Sequence, residues 1–82
     1  MVKLLFFGKL IDHVADMQMD MSLPQHVETT ADLRLWLKTH HDQDEVFLDP
    51  SIRLAQNNAI IAEPAKISDK DEIAFLPPVG GG

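Results

Sequence analysis

Eighty-two residues with a hydrophobic fraction of 45% make one globular domain and leave no room for a second core. A net charge of −6, with seven scattered Lys and Arg residues, argues against a nucleic-acid partner, which needs a basic stripe, and favours attraction to a basic protein surface. There is no cysteine, which excludes disulfides, thiol catalysis and a persulfide carried on a side chain. No apolar run is long enough to span a bilayer, and the apolar start has only Lys3 ahead of it and no cleavage site, so a cytoplasmic chain with no membrane partner is expected.

Residues 2–8, "VKLLFFG", read as a short strand with apolar groups on both faces, as in the middle of a sheet. "LIDHVAD" follows as a turn or a fragment of helix. "MQMDMSL" alternates with period two, with Met17, Met19, Met21 and Leu23 on one face and Gln18, Asp20 and Ser22 on the other. An antiparallel hairpin of these two strands is expected. Pro24 ends the second strand, and Thr29 three residues before Asp32 marks a helix start close to a capping box. In "TADLRLWLKTHH", Leu33, Trp36, Leu37 and His40 fall at helical spacing, with Arg34 and Lys38 expected to face water.

Residues 41–50 read as an irregular connection. Strands are predicted at 52–56 and 59–63, joined by a tight turn at Asn57-Asn58, where asparagine tolerates positive φ. After a polar loop, "EIAFLP" is the last strand, ended by Pro77 because proline has no N–H to donate. The order strand, strand, helix, then three strands gives an α+β domain over residues 1–76. It is a mixed sheet of four to five strands with one main helix, for which a ubiquitin-like roll is the favoured topology. Residues 77–82 form a separate extended tail.

One helix covers one face of a sheet. Phe6-Phe7, Ile60-Ile61 and Phe75-Leu76 are adjacent bulky pairs, so one member of each leaves the helix side. Phe7 belongs to the uncovered face, and so does Leu76 if the last strand pairs with the first. A contiguous apolar patch of this kind marks a partner site.

The chain closes on "FLPPVGGG". Pro77 and Pro78 hold the backbone extended, and the glycines after Val79 carry no side chain to block a narrow channel. What such a tail delivers into another protein's pocket is its terminal carboxylate. A glycine-rich end is also what a disordered tail or a truncation leaves, but its coupling to Pro-Pro, a final strand and the roll favours a working arm. Activation of that carboxylate by ATP and attack by a sulfur nucleophile would place a thiocarboxylate on Gly82, a way to carry sulfur without cysteine.

"DKDEIAFLPPVGGG" closely resembles the C-terminus of the small, sulfur-carrying subunits of molybdopterin synthase, the MoaD type within the MoaD/ThiS superfamily. "VKLLFFGKL" and "LAQNNAII" are similar to the same family in the same order, and the resemblance spans essentially the whole chain. It implies a β-grasp fold and a chain with no catalytic side chains and no bound cofactor of its own. A ubiquitin-activating-type adenylyltransferase would use ATP to form a glycyl-adenylate at Gly82, and a sulfur donor protein would convert it to thioglycine. The charged tail would then enter the large subunit of molybdopterin synthase, in a heterotetramer, and give sulfur to cyclic pyranopterin monophosphate to build the dithiolene of molybdopterin. The resemblance assigns Gly82 as the modified residue with Gly81 beside it. It makes Phe7, Ile60 and Leu76 an apolar contact surface for partners, with Pro77, Pro78, Val79 and Gly80 as the partner-bound tail. Gly80 departs from relatives that carry a small side chain there, which loosens the tail and raises its ordering cost.

Two other readings share this fold and tail: the sulfur carrier of thiamine-thiazole synthesis, whose members typically lack the proline pair, and a ubiquitin-like modifier that forms isopeptide bonds with lysines. A plain interaction domain with a disordered end is the remaining one. No metal site is expected from His13, His26, His40 and His41, none of which pair at ligand spacing. The Met17–Met19–Met21 stripe reads as core, and Asp69, Asp71 and Glu72 read as a polar turn.

Overall fold

The computed structural model of the chain describes residues 1–13, 17–42 and 45–78. Five strands form one mixed sheet: β1 (Val2–Phe6), β2 (Gln18–Met21), β3 (Arg53–Gln56), β4 (Ala59–Ile60) and β5 (Glu72–Leu76), in the spatial order β2-β1-β5-β3-β4. β1 and β5 run parallel, and every other pair is antiparallel. The one α-helix among the described residues, α1 (Thr30–Leu37), lies on one face, giving the β-grasp, ubiquitin-like architecture. The segment after β1 is a 3-10 helix, Gly8–His13.

Each element follows from its local chemistry. Val2, Leu4 and Phe6 alternate inward along β1, and Met21 and Met19 lie across from Val2 and Leu4 on β2. Met19, Met21 and Leu23 pack against the core as the alternation predicts, whereas Met17, just before the strand, is exposed. Thr29 caps α1: its hydroxyl accepts from Asp32 N at 3.2 Å, and the Asp32 carboxylate accepts from Glu28 N and Thr29 N at 3.0 and 3.2 Å. The Glu28 amide above all holds the Asp32 carboxyl below its ordinary pKa. Asn57 and Asn58 take φ of 53° and 73°, the left-handed pair that a two-residue hairpin between β3 and β4 needs.

The core is built round three aromatic rings. Phe6 stacks on Phe75 at 5.2 Å, and Phe47 meets both edge-on at 6.0 and 6.1 Å. Leu33 and Leu37 of α1 close this core from above, with Leu54, Ile73 and Val27 around it. Phe47 sits in a 3-10 turn, Val46–Leu48, inside the stretch that reads as irregular from sequence.

Three expectations are corrected. Arg34 does not face water: it is buried, because its guanidinium meets a ring of acceptors. Nε and Nη2 donate to the two Glu63 oxygens at 2.9 and 2.7 Å, Nη1 to the carbonyls of Phe47 and Asp49 at 2.9 and 3.2 Å, and Nη2 to that of Ile52 at 2.5 Å. Every N–H of the fork is used. His40 is exposed rather than on the apolar stripe, since the chain widens into a π-helical turn at Lys38–Asp42 and the 3.6-residue period is lost. There its ring stacks on Trp36 at 4.4 Å. Finally, β4 stops at Ile60 instead of running to residue 63, with Ile61 turned onto the core and Glu63 drawn to Arg34.

Candidate functional site

The sheet face opposite α1 has no covering element among the described residues. The register lays it out in rows. Gln18, Leu5, Ala74, Ala55 and Ile60 lie side by side from β2 across β1, β5 and β3 to β4. Four of these five are apolar, and with strands about 4.8 Å apart they make a strip of roughly 14 Å from Leu5 to Ile60. One step towards the β1 and β5 amino ends, Asp20, Lys3 and Glu72 form a charged row. One step the other way, Leu76 lies across from Arg53.

Exposure separates these residues from the core. Ile60 is 55% exposed and Phe7 41%, fractions that a core aliphatic or aromatic side chain does not show. Leu5, Ala74 and Leu76 are half-buried between them, while Ala55 is buried by its neighbours. The register therefore puts Leu76 and Ile60 on one apolar face with Leu5, Ala74 and Ala55, bounded by the charged row on one side and Arg53 on another, and exposed Phe7 follows β1 at the end of the face where Leu76 lies. Sequence reasoning missed Leu5, Ala55 and Ala74, the small and medium residues that make the strip continuous. Their signal lies in the pairing register, which the sequence does not display.

Parallel pairing of β1 with β5 brings the ends of these strands together, so Phe7 and Pro77 leave the sheet at the same edge. Pro77 is half-buried there against Gly8, and Pro78 is exposed. The root of the tail thus adjoins the apolar face. Val79, Gly80, Gly81 and Gly82 lie outside the described residues.

The polar loop before β5 is structural. The Asp71 carboxylate accepts from Asn57 Nδ2 at 2.9 Å, Gln56 Nε2 at 3.0 Å and Ser68 N at 2.7 Å, and the Asn57 bond leads in lowering its pKa. Glu72 N donates to Asn57 Oδ1 at 2.9 Å. These bonds tie the hairpin turn to the start of β5 and fix where that strand begins and points. Asp69 accepts from Leu23 N at 2.8 Å. Among the described residues no three His, Cys, Asp or Glu side chains are grouped to hold a metal, and no helix is long and apolar enough to cross a membrane.

An open hollow of about 350 Å³ lies between Leu48, Pro50, Arg53 and Ile61, with Arg34 and Glu63 at its wall. Arg34 has no donor left to offer a ligand. Chemically, the face offers shape and apolar area, with Pro77 and Pro78 beside it.

Residues 4–82 match the ThiS family. Among solved structures, the chain is similar to small archaeal modifier protein 1 (SAMP1) of Methanosarcina acetivorans, with 26% identity, a TM-score of 0.72, and 99% of this chain and 95% of that one covered. It is similar to SAMP1 of Haloferax volcanii at 21% identity and TM-score 0.73, over 99% of this chain and 98% of that one. A third similarity is to a chain in the protein–protein complex of subunits 1 and 2 of molybdopterin-converting factor from Helicobacter pylori. There the identity is 24% and the TM-score 0.66, over 99% of this chain and 97% of that one. No curated protein matches the chain by sequence.

Proposed function

The chain belongs to the ThiS family, within the ThiS/MoaD group of sulfur carriers, and from that premise we propose that it carries sulfur for molybdopterin synthesis on Gly82. The observation that carries this reading is the uncovered apolar face from Ile60 to Leu76, with exposed Phe7 and the Pro77-Pro78 root of the tail at its end. A docking surface joined to an extended backbone arm is what a protein needs if its reacting group is the main-chain carboxylate. Support for the molybdopterin branch comes from the "FLPPV" segment and from the fold shared with a subunit of molybdopterin-converting factor, which in that structure is complexed with its second subunit.

The chemistry lies at one carbon. The Gly82 carboxylate attacks the α-phosphorus of ATP within an adenylyltransferase, forming the acyl-adenylate and releasing pyrophosphate. A hydrosulfide equivalent from a sulfur donor protein then forms the C–S bond as the C–O bond to AMP breaks, leaving a thiocarboxylate. In the large synthase subunit the sulfur passes to the pterin substrate, and water supplies the oxygen that restores the carboxylate. This chain's part is to dock, to reach and to be recharged. Catalytic side chains come from its partners.

Intact mass of the protein isolated from its own cells tests this. A species ending at Gly82 and heavier by the difference between sulfur and oxygen is expected, and it disappears in cells lacking the adenylyltransferase. A chain that continues past Gly82, or no heavier form under any condition, sinks the proposal. The 26% identity to an archaeal modifier protein favours a second reading, conjugation of Gly82 to lysines of other proteins, which would instead give a ladder of covalent adducts.

The face carries its own prediction. Ile60→Asp places a charge in the apolar strip and is expected to weaken binding of the large subunit tenfold or more, about 1.4 kcal/mol at least. Melting should be unchanged, because the side chain is 55% exposed and outside the core. Calorimetric titration and thermal melts check the two halves separately.

A further inference from the structure

Gly8 stands where β1 gives way to the 3-10 turn, with φ of +59°. A Cβ at this position would lie 3.0 Å from Pro77 Cγ, against an ordinary carbon–carbon contact of about 3.5–4.0 Å. Pro77 therefore occupies the space that any side chain at residue 8 would claim. The group that would have to yield is not a core residue. It is the first residue of the tail, half-buried, followed by an exposed Pro78.

Proline cannot relieve such a push by turning about φ, so what the pucker of its ring does not absorb at Cγ moves the backbone of the root. The displacement passes along the Pro-Pro stalk to the residues beyond it. A root shift of a few tenths of an ångström, levered along a stiff stalk, grows towards the order of 1 Å, and misplacements of that size cost about 10²-fold where a reacting atom must be aligned. The glycines after Val79 absorb part of this, so a loss of about tenfold is expected.

We infer that Gly8 is a positioning residue that sets the direction in which the tail leaves the sheet, and through it the presentation of Gly82 to the activating enzyme. The inference rests on the sulfur-carrier reading for its functional consequence but not for its structural one. Two effects of a side chain at residue 8 must be kept apart. Left-handed backbone strain is one, and it falls harder on alanine than on asparagine. Contact with Pro77 is the other, and asparagine keeps that contact while tolerating positive φ.

The test uses the full isotopically labelled chain as wild type, Gly8→Ala, Gly8→Asn and Pro77→Ala, and as the Gly8→Asn/Pro77→Ala double variant. Three quantities are read: the melting temperature, the residual dipolar coupling of the Val79 amide (the first N–H after the prolines), and kcat/KM for ATP–pyrophosphate exchange with the adenylyltransferase. Gly8→Asn is expected to melt closer to wild type than Gly8→Ala, yet both should shift the Val79 coupling and lower kcat/KM about tenfold. In the Pro77→Ala background, where Cγ is gone, Gly8→Asn should have no further effect on the coupling, a non-additivity that general destabilisation does not produce. A Val79 coupling unchanged in Gly8→Asn, or changed equally with and without Pro77, overturns the inference. If the coupling behaves as expected while the wild type is never adenylated, the positioning stands and the sulfur-carrier reading fails. If the coupling behaves so and the wild type is adenylated but the variants are charged at the wild-type rate, the link from direction to presentation is wrong.

Discussion

Arg34→Met is expected to lower the stability of the domain by about 3 kcal/mol, the low end of what loss of one partner of a buried ion pair costs, because Glu63 keeps some access to water. For a chain of this size that corresponds to a fall in Tm of roughly 12–24 °C. The methionine fills most of the volume, so the loss is electrostatic rather than a cavity. The carbonyls of Phe47, Asp49 and Ile52 lose their donor, and Glu63 is left beside an apolar side chain. Burial works against the Glu63 charge, but the hydrogen bonds and charge of Arg34 outweigh it and hold the carboxyl below its ordinary pKa. A group whose folded pKa is lowered contributes stability that is full above its unfolded value, about 4.3, and is lost as pH falls through the folded value. The gap in Tm between wild type and variant should therefore be constant near neutrality and narrow below about pH 4. It should not close, since the three carbonyl bonds do not titrate. Thermal melts at pH 7 and pH 3.5 decide it, and a gap that is the same at both would show that the carboxylate contributes little.

Arg34 also shows where sequence stops being informative. Helical periodicity sends a cation to water unless acceptors await it, and here they come from residues up to 29 positions away in the chain. Local rules did reach the elements they govern. The capping box, the Asn-Asn turn and the Met19–Met21 alternation are interactions within a few residues, and each appears as read. The uncovered face was also legible, because a strand alternates and a single helix has one side. Phe47 was not legible, since a lone aromatic in a polar stretch has no period to betray that it seals the core between Phe6 and Phe75. The contact of Gly8 with Pro77 depends on β1 and β5 being parallel neighbours, which is a fact of topology rather than of either segment. For the candidate site, Phe7, Ile60 and Leu76 could be named from their bulk. The strip that joins them needed the register.

Deleting Gly81 and Gly82 is expected to reduce adenylation and sulfur delivery by more than a hundredfold while moving Tm by no more than about 1 °C. The core residues of the described structure lie between Val2 and Phe75, so no packed side chain is lost. The shortened chain still ends in a carboxylate, at Gly80, and that makes the experiment informative. Its chemistry is the same, but two residues remove about 7 Å of a reach of roughly 20 Å from Pro77. A carboxylate held that far short of the reacting phosphate cannot attack it, and proximity of this kind accounts for about 7–11 kcal/mol of a catalysed barrier. The apolar face is untouched, so the truncated chain should still bind the partners that the face recognises. Added in excess, it is expected to compete with the intact chain and slow its charging, with inhibition weakened tenfold or more by Ile60→Asp in the same molecule. If the truncated chain neither reacts nor competes, the tail supplies the binding energy and the sheet face is not the docking surface. Competition without reaction would instead assign recognition to the folded domain and chemistry to the end of its backbone.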